Sequence, residues 1–170
     1  KTEKIFERLN SGLETYPYQL GFEILYGTRQ FSEMKSEFYL SKIAYHNRNL
    51  TSEFIDIPKE KSALIINLGT GKKFVDNYIG KWKQSDAGST SRIYFSAFCD
   101  SLHFGEDLRS GGAPLLVGIY RNKGALNFGV IYKAKRYFNG HELPNEINTK
   151  PIKWHNNLLE VCDGESLKLA

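Results

Sequence analysis

The densest collection of chemically capable side chains lies between Asp100 and Gly112, in the run Asp-Ser-Leu-His-Phe-Gly-Glu-Asp-Leu-Arg-Ser-Gly-Gly. His103 with Glu106 or Asp107 is the pairing of a general base with the acid that orients it, or of ligands for a divalent cation. Arg109 adds a guanidinium fork of the kind that clamps a phosphate. The catalytic candidates are therefore His103, Glu106 and Asp107, and the activity they imply is that of a small metal-dependent nuclease or phosphodiester hydrolase. The competing reading is a solvated, glycine-rich loop in which His103 only caps a neighbouring group, because no second catalytic or metal motif accompanies it.

A second candidate is Gly69-Thr70-Gly71-Lys72-Lys73, placed between an apolar run and an amphipathic stripe. Free backbone N–H groups at such a helix start favour an anion, and Lys72 and Lys73 would reinforce it. The P-loop spacing is incomplete, since the first glycine is missing and no Ser or Thr follows the lysine pair. The competing and plainer reading is a tight strand-to-helix turn without a ligand; if one is bound, a nucleic-acid phosphate fits better than a nucleotide cofactor, and no cofactor is expected outside the nuclease alternative. The tripeptides Gly118-Ile119-Tyr120 and Tyr78-Ile79-Gly80 match the two signature pieces of the GIY-YIG nucleases but stand in the reverse order, and are taken as chance.

The third candidate is electrostatic. Residues 1–61 hold nine basic and nine acidic side chains, residues 62–141 eleven and five, and residues 142–170 three and five. The excess is sharpest from Leu108 to His141, which holds Arg109, Arg121, Lys123, Lys133, Lys135 and Arg136 and no Asp or Glu. Tyr120, Tyr132 and Tyr137 are interleaved with these charges. A basic stretch with aromatics between its charges suits a polyanion whose bases can stack. The alternative is a solvated sheet edge on which lysines discourage strand-on-strand pairing.

Composition narrows the classes. At 170 residues, 41% hydrophobic and 14% aromatic, the chain can bury a core and is not a disordered tail. No apolar run approaches the roughly 20 residues that span a bilayer, and no secretory leader is visible. A cytoplasmic location without membrane attachment is the expectation. A start at Lys1 rather than Met fits an excised domain or a processed chain. Cys99 and Cys162 lack the spacing of a zinc site and are read as buried thiols, so no metal ligands are assigned. His46, His141 and His155 show no mutual spacing and receive no role.

The elements that must position these residues follow from periodicity. Ile5, Phe6, Leu9, Leu13 and Tyr16 predict a helix over Glu3–Tyr16, ended by Pro17. Gln19–Tyr26 predicts a short strand closed by Gly27. Phe31, Met34 and Phe38 predict a second helix running to about Tyr45, so that residues 1–60 form a helical portion. Ala63–Leu68 predicts a buried strand, and Phe74, Val75, Tyr78, Ile79 and Trp82 a helix over Lys73–Lys83. Arg92–Cys99 reads as a strand. Leu115–Arg121, apolar on both faces, reads as a central strand paired with Asn127–Lys133. Lys135–Phe138 follows, closed by the hairpin signal Asn139-Gly140. Lys153–Cys162 predicts a closing helix with Trp154 inward. The whole is a single α+β domain, with an antiparallel sheet in its central and C-terminal part and helices at both ends.

The function expected from the sequence is nucleic-acid binding, with DNA ahead of RNA, by a domain of the kind found in prokaryotic restriction or mobile-element systems. Lys72, Lys73, Arg109, Tyr120, Arg121, Lys123, Tyr132, Lys133, Lys135, Arg136 and Tyr137 form the expected contact set. The nuclease and a protein-interaction domain are the alternatives. The oligomeric state is not legible.

Overall fold

A computed structural model describes residues 2–14, 21–32, 35–60, 63–144, 146–147 and 150–170. They form three helices and two sheets, mostly antiparallel, in a mixed α+β fold. The chain groups into two compact units, Lys1–Lys61 and Ser62–Ala170. The boundary falls where the charge changes: the first unit is neutral by count, and the whole net charge of +4 belongs to the second. No described helix is long and apolar enough to cross a membrane.

In the first unit, α1 (Thr2–Leu13) half-buries Ile5, Phe6, Leu9 and Leu13, the stripe expected from the sequence. Tyr16 lies outside the described residues. The rest of this unit is not helical. It is a meander of β1 (Phe22–Ser32), β2 (Lys35–His46) and β3 (Asn49–Ile55), in the order β1-β2-β3. The strand expected to close at Gly27 continues through it. The helix expected from Phe31 to Tyr45 is instead the end of β1 and the central strand β2, while Met34, one of its three marker residues, lies outside the described residues. The decisive pattern was Phe38 to Tyr45, eight residues rich in aromatic and branched side chains, which suit a pleated ladder. Ser41, Ile43, Ala44 and Tyr45 are buried, and Phe22 stacks on its register partner Tyr45 at 5.4 Å. Lys42 pairs with Glu23 at 2.7 Å and Glu53 at 3.8 Å, joining the three strands through one charge. Asn47 and Arg48, with φ of 51° and 62°, make the two-residue turn into β3.

The second unit opens with irregular chain where a strand over Ala63–Leu68 was expected; no described residue offers that segment a ladder. Next come α2 (Lys72–Trp82), as expected, and α3 (Arg92–Phe104), where a strand was expected. The continuous apolar run Ile93–Cys99 does not by itself distinguish strand from helix. Its extension to Phe104 and the stop at Gly105, whose φ is 64°, settle it as a helix of 13 residues. Val75, Tyr78 and Ile79 of α2 pack against Ala97 of α3, where the small side chain lets the helices approach.

The sheet of this unit has β5 (Ala125–Tyr132) at its centre. It pairs with β4 (Leu116–Ile119) along its first half and with β6 (Lys135–Phe138) along its second. β4 is therefore not the central strand expected: half of its residues are exposed, and β5 alone pairs with it among the described residues. β7 (His141–Glu142) follows β6 through Asn139-Gly140, the turn read from the sequence, with φ of 50° and 81°. The expected closing helix over Lys153–Cys162 is absent. In its place β8 (Trp154–Asn156) runs parallel to β5 and turns back into β9 (Val161–Cys162). Asn156 organises that turn, its Oδ1 accepting the N–H groups of Leu158 and Glu160, each at 2.9 Å. An amide that binds the backbone locally in this way competes with helix formation. Alternation along β5 sends Val130 and Tyr132 against Cys99, and Ile131 against Trp154 and Cys162.

Candidate functional site

With Arg92–Phe104 helical, His103 sits on the last turn of α3 instead of in a loop. It is exposed, with its ring edge-on to Phe104 at 5.1 Å. No hydrogen bond or ion pair joins it to Glu106 or Asp107 among the described residues, and Glu106 is exposed. Asp107 has a different task. Its Oδ2 accepts hydrogen bonds from Ser110 Oγ and Thr70 Oγ1, both at 2.6 Å, and its Oδ1 accepts from the Arg109 N–H at 3.1 Å. The hydroxyls of Ser110 and Thr70 hold its carboxyl below the ordinary carboxylate range. No group of three or more His, Cys, Asp or Glu among the described residues stands together to hold a metal. The structure thus does not assemble the expected catalytic trio.

Asp107 also answers the glycine-turn candidate. Gly69, at φ 92°, and Gly71 lead into α2, and the Asp107 carboxylate lies so close that a Cβ on Gly71 would come within 3.2 Å of it. The negative group favoured at this helix start is the protein's own side chain. Lys72 is paired with Asp76 at 2.7 Å, and Lys73 lies over the Phe74 ring at 4.7 Å. Because folding lowers the Asp107 pKa, its stabilisation is present above the ordinary value of 3.8 and is lost as pH falls through the lower folded value. Asp107→Asn is therefore expected to melt below the parent at pH 6, with the gap narrowing toward pH 2. A gap independent of pH would show that the carboxylate charge is not what holds the turn.

The basic hairpin is not one surface. Arg136 is 5% exposed and donates to the Gly164 and Pro144 carbonyls, so it belongs to the interior. Tyr132 is buried, with its hydroxyl donating to the Cys99 carbonyl at 3.3 Å, and half-buried Tyr137 packs on the same cluster. None of these three fits the expected role. Lys135 is paired at 2.9 Å with Glu142, an acid one residue beyond the acid-free stretch. Lys133 and Ala134, with φ of 51° and 58°, form a two-residue turn, so Lys133 and Lys135 do not continue one extended face. Lys133 extends over the Tyr132 ring at 5.3 Å. Arg121 and Lys123 lie in the turn at the opposite end of β5, roughly 25 Å away at strand rise.

At that opposite end the structure gathers residues the sequence kept apart. A cleft of about 520 Å³ is lined by Tyr120, Phe128, Lys150, Ile152, Lys153, Trp154, His155, Val161, Cys162, Asp163, Gly164, Glu165 and Ala170. Tyr120, 44% exposed, tilts toward Phe128 at 6.2 Å, and the His155 ring meets Phe128 edge-on at 5.0 Å. Burial, with Lys153 beside it, lowers the His155 pKa and so disfavours the charged imidazolium. Its Nδ1 is buried without a hydrogen-bond partner among the described residues. Lys150 and Lys153 are exposed, as are Arg121 and Lys123 in the adjoining turn. Asp163 is held by the N–H groups of Ser166, at 2.7 Å, and Glu165, at 3.1 Å, while the Glu165 side chain is exposed. Of the expected contact set, Tyr120, Arg121 and Lys123 lie at this end. Lys150, Lys153 and His155 were missed, because a parallel β5–β8 pairing leaves no local mark in the sequence. The adjacent pair Trp154-His155 flanked by Lys153 was the one available hint.

Both cysteines are buried and free, and burial, with Asp100 nearby, pushes the Cys99 thiol up to about 12. That is the inert behaviour expected of a structural thiol. Comparison with known proteins gives no match: no family model, no curated protein and no solved structure is similar to this chain.

Proposed function

We propose that the second unit is a nucleic-acid-binding domain, with DNA favoured over RNA, and that its contact surface is the cleft end of β5. The observation that carries this reading is the meeting of Tyr120 with Lys150 and Lys153 on one cleft, beside the exposed Arg121 and Lys123. Lysines and arginines raise affinity for a polyanion by releasing its condensed counterions, and an exposed aromatic offers a face to a base. The charge budget agrees, since residues 62–170 carry fourteen basic and ten acidic side chains against nine of each in residues 1–61.

The test is fluorescence anisotropy with single- and double-stranded DNA and RNA at about 50 mM and about 200 mM salt. Lys153→Ala should weaken binding for every sequence and reduce the salt slope by about one unit. A Lys133→Ala, Lys135→Ala double variant should leave the slope nearly unchanged. No binding to any of the four at the lower salt would end the reading, and the opposite pattern of variants would return the contact surface to the Lys133 turn.

A further inference from the structure

Resting on that nucleic-acid reading, we propose that the cleft at the end of β5 seats one unpaired, amino-bearing base of a single strand. A volume of about 520 Å³ lies within the range of small-ligand sites and below what a base pair with its two backbones would need. Three aromatic rings meet there: Tyr120 exposed above Phe128, with His155 edge-on to the same ring. Bases held in a duplex already stack on each other and cannot enter such a recess, whereas an unpaired base loses little by leaving the strand.

The charges around the cleft are mixed, with cations and carboxylates side by side. Lys153 at the start of β8 suits a phosphate. Asp163 and Glu165, just past β9, repel phosphate but accept hydrogen bonds from an exocyclic amine. Trp154 pairs in register with Cys162, so Lys153 and Asp163 are the next residues outward at the same end of the β8–β9 pair. A cleft made only to hold backbone would have no use for these carboxylates. A cytosine carries an amine where thymine carries a carbonyl, so the two bases should be told apart.

The experiment measures anisotropy of labelled 12-nucleotide oligodeoxycytidylate, oligodeoxythymidylate and a mixed-sequence duplex of equal length, at pH 7.5. The cytosine strand should bind about tenfold more tightly than either of the others. Tyr120→Ala should lower single-strand affinity by about tenfold and leave duplex affinity within about twofold. If circular dichroism shows that variant unfolded, Tyr120→Leu keeps bulk without a π face and should give the same result. Glu165→Gln should remove the preference for cytosine over thymine and spare the affinity for thymine. Equal binding of all three nucleic acids overturns the inference and leaves the nucleic-acid reading standing, as does insensitivity of strand binding to the Tyr120 variants. Absence of binding to all three at low salt overturns both.

Discussion

Gly129→Ala is expected to be among the most damaging one-carbon additions in the second unit, lowering stability by about 1–3 kcal/mol or more. Gly129 is buried in β5 and lies in register with Trp154 of β8. A Cβ there would run into the six-membered ring of the indole, and a Cβ on Gly164 would run into its five-membered ring. Trp154 is 2% exposed and packed against Ile131 and Cys162, so the ring cannot shift without disturbing that cluster. The two glycines are thus required by close approach; neither has the positive φ that makes glycine obligatory for backbone reasons. Trp154→Ala removes the obstacle but leaves a cavity, at a cost of about 3–5 kcal/mol. Because both changes act on one space, the Gly129→Ala, Trp154→Ala double variant should cost less than the sum of the singles. Urea midpoints of the three variants measure this. Strict additivity would show that the glycine and the indole do not share the packing constraint.

What the sequence revealed and what it concealed divide along the distance of the contacts involved. Local signals carried through. The stripes of α1 and α2 and the Asn139-Gly140 turn all depend on residues a few positions apart. The errors arose where a tertiary partner decides between two periods. Phe31 and Phe38 fit a helical spacing, yet β2 lies between two strands that satisfy its backbone on both sides. Ile93–Cys99 is apolar enough for a strand, and the packing of Ala97 against α2 makes it a helix. Trp154, Leu158 and Leu159 are spaced for a helix, but Trp154 is held by β5 and Asn156 binds the turn that follows. The candidate site suffered in the same way. Its exposed half, Tyr120 to Lys123, was visible as a cluster, whereas its other half arrives through the parallel pairing of β8. The acid-free window also concealed Glu142, which the β6–β7 hairpin brings back against Lys135.

Arg136 separates the two kinds of arginine that composition cannot. Its guanidinium donates to the Pro144 carbonyl at 2.6 Å and the Gly164 carbonyl at 3.1 Å, in a setting that is 5% exposed. One side chain thereby fixes β6, the segment at Pro144 and the turn at Gly164, which in turn presses on Trp154. Arg136→Met keeps most of the buried stem and removes every donor. Each carbonyl left without a partner costs about 1–3 kcal/mol, so the loss should be on the order of 2–4 kcal/mol, a large share of the stability of a small domain. Arg136→Lys should recover only part of it, since a single ammonium lacks the planar fork that reaches two acceptors at fixed angles. The cleft walls at Gly164 should loosen as well, so hydrogen exchange at residues 163–166 should quicken in both variants. For the fraction that remains folded, the salt slope of nucleic-acid binding should match the parent, because a buried guanidinium releases no counterion. An Arg136→Met variant with the parent's urea midpoint and a salt slope lower by about one unit would reverse this assignment and make Arg136 a phosphate contact.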